Sequence, residues 1–127
     1  MTQIVDWDQL LSLREVQAPD EPDVVEQIIE MFLEDSDVRL SRAGEALAST
    51  DAPALRLEAH SLRGTAGLIG AEHLRAAAEV VEYAAPAGDW PSIEIAYGRM
   101  VAAVGEVREE LVRFASAAGA PPDPAHL

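Results

Sequence analysis

The stretch AHSLRGTAGLIG, Ala59 to Gly70, holds the residue types best suited to chemistry, with His60 three residues before Arg63 and four before Gly64. On a helical wheel Leu55, Ala59, Leu62, Ala66 and Ile69 form the apolar stripe of a core-facing helix. His60 falls off that stripe. At 3.6 residues per turn Arg56, Leu57, Arg63, Gly64 and Gly67 share its outward strip, so two cations and two missing side chains surround one imidazole. The chemistry this suits is transient phosphorylation. A neutral imidazole nitrogen is a nucleophile near neutral pH, and the anionic group it would carry needs donors close by. Arg63, one turn on, offers a permanently charged planar fork that fits phosphate oxygens, with Arg56 as a further cation. Gly64 gives clearance for a partner's approach, or for a neighbouring helix, at a cost of roughly 1 kcal/mol relative to alanine.

Further residues extend the pattern: Gly70, Ala71 and Leu74, then Val81 and Glu82. With His60, Leu62, Arg63, Gly64 and Ala66 they resemble the histidine-containing phosphotransfer (HPt) domain family. Its signature runs His-x-x-Lys-Gly, an apolar run, Gly-Ala-x-x-Leu and a later Leu-Glu pair. Arg63 stands for the usual lysine and keeps its charge; Val81 stands for the usual leucine and keeps its apolar character. The resemblance implies that His60 receives a phosphoryl group from a receiver-domain aspartyl phosphate and passes it to another receiver aspartate. It also implies that Glu82 accepts a hydrogen bond from one imidazole nitrogen and leaves the other free to react. Against this stands a plainer reading of Glu82, as an exposed helix carboxylate. Arg75 precedes Glu79 and Glu82 by four and seven residues, spacings that allow ordinary same-face ion pairs. The partners implied are receiver domains of response regulators or hybrid histidine kinases. The receiver would bring the divalent metal, so no cofactor or nucleotide is expected in this chain.

The elements that must position these residues are all helical. A short helix is expected from an Asp6 cap, with Trp7, Leu10, Leu11 and Leu13 on its apolar side, ending at Ala18-Pro19-Asp20. A long helix follows Pro22 to about Ser49, with Val25, Ile29, Phe32, Leu40, Ala43 and Leu47 on one face. Val24, Ile28 and Met31 make a second strip, either covered by the short helix or open as a docking patch. Asp51 can cap the His60 helix and Gly70 can close it in the left-handed conformation. The short connection after Gly70 favours an antiparallel neighbour carrying Leu74, Ala77, Ala78, Val81 and Ala85, which would bring Glu82 back toward His60. Pro86 and Gly88 break that helix. Asp89 is the expected cap of the last one, whose seam is Ile93, Tyr97, Met100, Val104, Val107, Leu111, Phe114 and Ala118. No segment alternates in polarity as a strand would. The expected architecture is an all-α antiparallel four-helix bundle with a short additional N-terminal helix, over residues 1–118, and a flexible tail over residues 119–127.

Composition bounds the function. The chain has 127 residues, one domain by size, and no cysteine for a disulfide or thiolate metal site. Its 23 acids outnumber nine arginines, there is no lysine, and the net charge is −14. Such a surface repels nucleic acid and anionic membranes, so neither is an expected partner. No apolar run approaches membrane-spanning length and no secretory signal is evident, so a cytoplasmic monomer is the expectation. Gly64, Gly67 and Gly70 are spaced for a helix groove, not a nucleotide-cradling loop, and ATP binding is not expected. His73 and His126 are poorly placed to join His60 in a metal site. The leading expectation is a phosphocarrier without its own kinase. The alternatives are a helical module that binds a receiver or a histidine kinase without carrying phosphate, and an accessory domain of a larger sensor kinase.

Overall fold

In the computed structural model, which describes residues 3–117, five α-helices follow one another: α1 Trp7–Leu11, α2 Val24–Ala48, α3 Ala52–Leu68, α4 Glu72–Ala84 and α5 Trp90–Ser116. Single 3-10 turns extend α1 through Ser12–Glu15 and α4 through Ala85–Ala87. Helix α3 packs against both α2 and α4, α4 against α5, and α5 returns to α2, which closes the expected all-α four-helix bundle. The expected seam position Ala118 and the tail over residues 119–127, with His126, lie outside the described residues.

The apolar periodicities become one core. Val25, Ile29, Phe32 and Ala43 of α2 meet Leu55, Ala59, Leu62 and Ala66 of α3, Leu74, Ala78 and Val81 of α4, and Ile93, Met100, Val104, Val107, Leu111 and Phe114 of α5. Leu40, Leu47 and Tyr97 are only half-buried at its margin. Burying each large side chain contributes about 1.5–3 kcal/mol before chain entropy is counted. Ser36 is the polar residue on the α2 stripe, and Arg108 of α5 satisfies it with a 2.8 Å bond while also donating to the Leu33 carbonyl at 2.6 Å.

Three of the five α-helices begin with a side-chain cap bond. Asp6 accepts from the Gln9 N–H, Asp23 from Val25 and Asp51 from Ala54. Asp89 occupies the N-cap position of α5, but its carboxylate accepts from the Ser92 hydroxyl at 2.8 Å and makes no side-chain bond to the helix backbone. Helix α3 closes as expected at Gly70, whose φ is +65°. The Ala71 N–H bonds the Ala66 carbonyl at 2.9 Å and the Gly70 N–H that of Gly67 at 3.3 Å, the double bond pattern of a left-handed helix end. A Cβ on Gly70 would also lie 2.3 Å from Asp6 Cβ.

That close approach exists because the N-terminal segment caps the end of the bundle. The Asp6 N–H lies 3.3 and 3.2 Å from the carbonyls of Ile69 and Gly70, and the Gln9 amide donates to those of Gly67 and Leu68. Orphan carbonyls of α3 are thus satisfied from 58 residues away in sequence. Trp7 stacks on Phe114 with centroids 4.5 Å apart, and Arg14 forks onto Asp23 through bonds of 3.1 and 2.6 Å. The turn after α1 packs on the start of α2, so Val24 and Ile28 are half-buried against the core. The expected strip of Val24, Ile28 and Met31 is therefore not one open patch. Only Met31 is exposed.

Candidate functional site

The site begins with the faces of α3. Leu55, Ala59, Leu62 and Ala66 are buried, while Arg56, Leu57, His60, Gly64 and Gly67 are exposed, as the wheel requires. Helix α4 runs back beside α3, anchored by Leu74, Ala78 and Val81. Glu82 follows Val81 at the edge of that buried face and is 5% exposed. A carboxylate so placed is costly unless its oxygens find donors. It finds two cationic or proton-bearing partners on α3.

His60 Nδ1 lies 2.8 Å from Glu82 Oε1 and 3.3 Å from Oε2. A carboxylate only accepts, so Nδ1 is the donor in this contact, and in the neutral imidazole that leaves the lone pair on Nε2. The imidazole side chain is 61% exposed, which leaves that second nitrogen within reach of another protein. Arg63 Nη1 stands 3.3 Å from Glu82 Oε2. One buried carboxylate thereby joins the imidazole and the arginine one turn beyond it.

The plainer reading of Glu82 fails on this geometry. Arg75 pairs with Glu72 at 2.6 Å and Glu79 at 2.6 Å, not with Glu82, and those carboxylates raise the pKa of its guanidinium above the ordinary arginine value. A Cβ on Gly64 or Gly67 would meet nothing within 4 Å, so neither glycine admits a neighbouring helix. Both lie open beside the imidazole. Arg56, one turn before His60, has no hydrogen-bond or ion-pair partner among the described residues. Leu57 is 59% exposed, and Met31, Val38 and Leu68 add further exposed apolar side chains on α2 and α3.

Two contacts had no signal in the residue spacing. One is the pairing of Arg63 with Glu82. The other is Glu58, buried on the α2 side of α3, where it accepts from Arg39 at 3.1 Å. Asp35 lies 3.3 Å from the same guanidinium, and the Glu58 bond is the chief cause that raises the Arg39 pKa above its ordinary value. Partners across a helix interface do not declare themselves by periodicity along one helix. His73 lies on another strip of α4, exposed, 3.2 Å from Glu106, and is not part of the His60 site. Among the described residues no three His, Cys, Asp or Glu side chains gather as metal ligands, and no helix is long and apolar enough to cross a membrane.

An exposed imidazole oriented by a buried carboxylate, on the second long helix of an all-α bundle, defines a histidine phosphotransfer module. The chain belongs to the Hpt domain family, whose sequence model matches residues 27–117. Its structure is similar to the crystal structure of histidine-containing phosphotransfer protein B from Pseudomonas aeruginosa PAO1, with a TM-score of 0.81 and 27% sequence identity. The match covers 92% of this chain and 98% of that one. No curated protein sequence matches the chain. As a member of this family the chain is a histidine phosphotransfer domain of phosphorelay signalling, a class that works with receiver domains.

Proposed function

We propose that His60 is the phosphoryl carrier, taking the group from an aspartyl phosphate of one receiver domain and giving it to the aspartate of another. The observation that carries this reading is the 2.8 Å contact between His60 Nδ1 and the buried Glu82, combined with an imidazole that is otherwise open. The lone pair of Nε2 attacks phosphorus, the phosphorus–oxygen bond to the aspartyl carboxylate breaks, and the carboxylate leaves with that electron pair. No proton has to leave Nε2, because Glu82 holds the ring's proton at Nδ1. Arg63 supplies charge-assisted donors to the phosphoryl group, and Gly64 leaves room for the receiver's active site. The receiver brings the divalent metal; this chain needs no cofactor, nucleotide or kinase activity of its own.

Docking rests on the exposed face around the imidazole: Arg56, Leu57 and Gly67 of α3, with Met31 at the side of α2. A cationic pair on a molecule of net charge −14 favours an anionic aspartyl phosphate at this point. The chain acts as a monomer in the cytoplasm on this reading.

The test is phosphotransfer profiling of the purified protein against every receiver domain of its source organism at short times. Acid-labile label on the wild type and none on His60→Gln is the expected result. A protein that binds receivers but never takes label is the interaction module instead.

A further inference from the structure

Among the arginines that meet carboxylates here, Arg63 is held loosely. Arg14 makes two hydrogen bonds to Asp23, at 3.1 and 2.6 Å, and Arg75 makes three to Glu72 and Glu79, at 2.8, 2.6 and 2.6 Å. Arg63 approaches Glu82 through one nitrogen at 3.3 Å, an ion pair without hydrogen-bond alignment. Its carboxylate already takes the Nδ1 proton of His60 at 2.8 Å. The guanidinium has four further N–H groups to offer, and its side chain is 28% exposed.

We infer that Arg63 changes anions with the state of His60: it rests on Glu82 while Nε2 is free and moves to the phosphoryl group once Nε2 carries one. This rests on the reading of His60 as the phosphoryl carrier. Side chains on a helix slant toward its N-terminus, so Arg63, one turn C-terminal to His60, lies over the imidazole and needs only its own torsions to turn from one anion to the other. A phosphoryl dianion with three acceptor oxygens outcompetes a carboxylate whose better-placed oxygen is already engaged.

The exchange has a consequence for discharge. Once Arg63 leaves, His60 Nδ1–H is the remaining hydrogen-bond donor to the buried Glu82 carboxylate. With its proton on Nδ1, held by that contact, the phosphorylated ring is a cation and the better leaving group. When the acceptor aspartate attacks, a phosphorus–oxygen bond forms, the phosphorus–nitrogen bond breaks, and its electron pair returns to Nε2. The ring leaves as neutral imidazole in the tautomer it started from, and Arg63 returns to Glu82.

The test is NMR of the arginine Nε–Hε signals before and after phosphorylation with phosphoramidate, with phosphorus NMR reporting phosphohistidine in the same tube. The Arg63 signal is identified by its absence in Arg63→Lys. It should move on phosphorylation, and Glu82→Gln should shift it in the resting protein as well. The phosphohistidine lifetime should fall several-fold in Arg63→Gln and recover in part in Arg63→Lys. A phosphohistidine signal with an unmoved Arg63, or with Arg56 moving in its place, overturns the exchange and leaves the carrier reading standing. Absence of phosphohistidine in folded wild-type protein removes the carrier reading and the exchange together.

Discussion

At the scale of single residues, Gly64 separates a packing role from a docking role. Its side is open, with nothing within 4 Å of an added Cβ, so the glycine is not there for the bundle. Gly64→Ala should stabilise the fold by roughly 1 kcal/mol, the difference in helix propensity, in a denaturant titration. Gly64→Gln should slow transfer from a phosphorylated receiver while leaving stability near that of wild type. A loss of stability in both variants would point to contacts that the structure does not contain. His60→Gln should fold and cost about 1 kcal/mol, because the side chain it replaces is mostly in solvent but supplies the buried Glu82 carboxylate with a donor that the Gln amide replaces only in part. The outward strip of His60, Arg56, Leu57, Arg63, Gly64 and Gly67 was legible in the sequence because helical periodicity places residues of one helix. The approach of Glu82 to His60 was legible only through the family resemblance and the short α3–α4 connection, and its pairing with Arg63 was not legible at all. Spacing along α4 allowed Arg75 as its partner, and only the packing of α4 on α3 gave it His60 and Arg63 instead.

At the scale of elements, the two turns that flank α3 solve the same problem with different residues. Gly70 ends α3 in the left-handed conformation without steric cost, and Thr50 ends α2 in the same conformation with φ +50°. The Asp51 N–H bonds the Ala46 carbonyl at 2.8 Å and the Thr50 N–H that of Leu47 at 3.2 Å, so the backbone demands this geometry. A β-branched residue there is strained. Thr50→Gly should relieve about 1–2 kcal/mol of that strain, less the 0.4–1 kcal/mol by which glycine favours the unfolded chain. The net gain, roughly 0–1.6 kcal/mol, should appear as an unchanged or raised unfolding midpoint; a lowered midpoint would contradict the strain. Helix order, caps and core faces could be read from the sequence because each is a local or periodic property. The cap that Asp6 and Gln9 place on the end of α3 could not, since its donors and acceptors are far apart along the chain. Asp89 shows the converse, a cap residue by type whose carboxylate the nearby Ser92 hydroxyl takes instead.

For the whole molecule, acid acts on the ion pair that ties the N-terminal segment to the start of α2. The Arg14 hydrogen bonds hold the Asp23 carboxyl below its ordinary value of 3.8, helped by the Val25 N–H and opposed by partial burial. A carboxylate depressed by folding contributes stability that is fully present above its unfolded value and is lost as pH falls through its lower folded value. Asp23→Asn keeps an N-cap acceptor and removes the charge. Its deficit against wild type should be present at neutral pH, hold down to the ordinary carboxylate range and shrink below it, as measured by unfolding at several pH values. A deficit independent of pH would assign the effect to cap geometry and not to the ion pair.

The Arg56 and Arg63 pair at the imidazole interrupts a surface that is otherwise dominated by acids, and on the proposed reading a receiver's aspartyl phosphate is the anion it meets. The most direct measurement of this account is the location of phosphate after the protein is mixed for seconds with a phosphorylated receiver domain. Phosphorus NMR and peptide mapping at alkaline pH should find acid-labile phosphate on Nε2 of His60, with none taken up by a folded His60→Gln. Phosphate on Nδ1, on another residue, or on no residue while the receiver still binds, would contradict it.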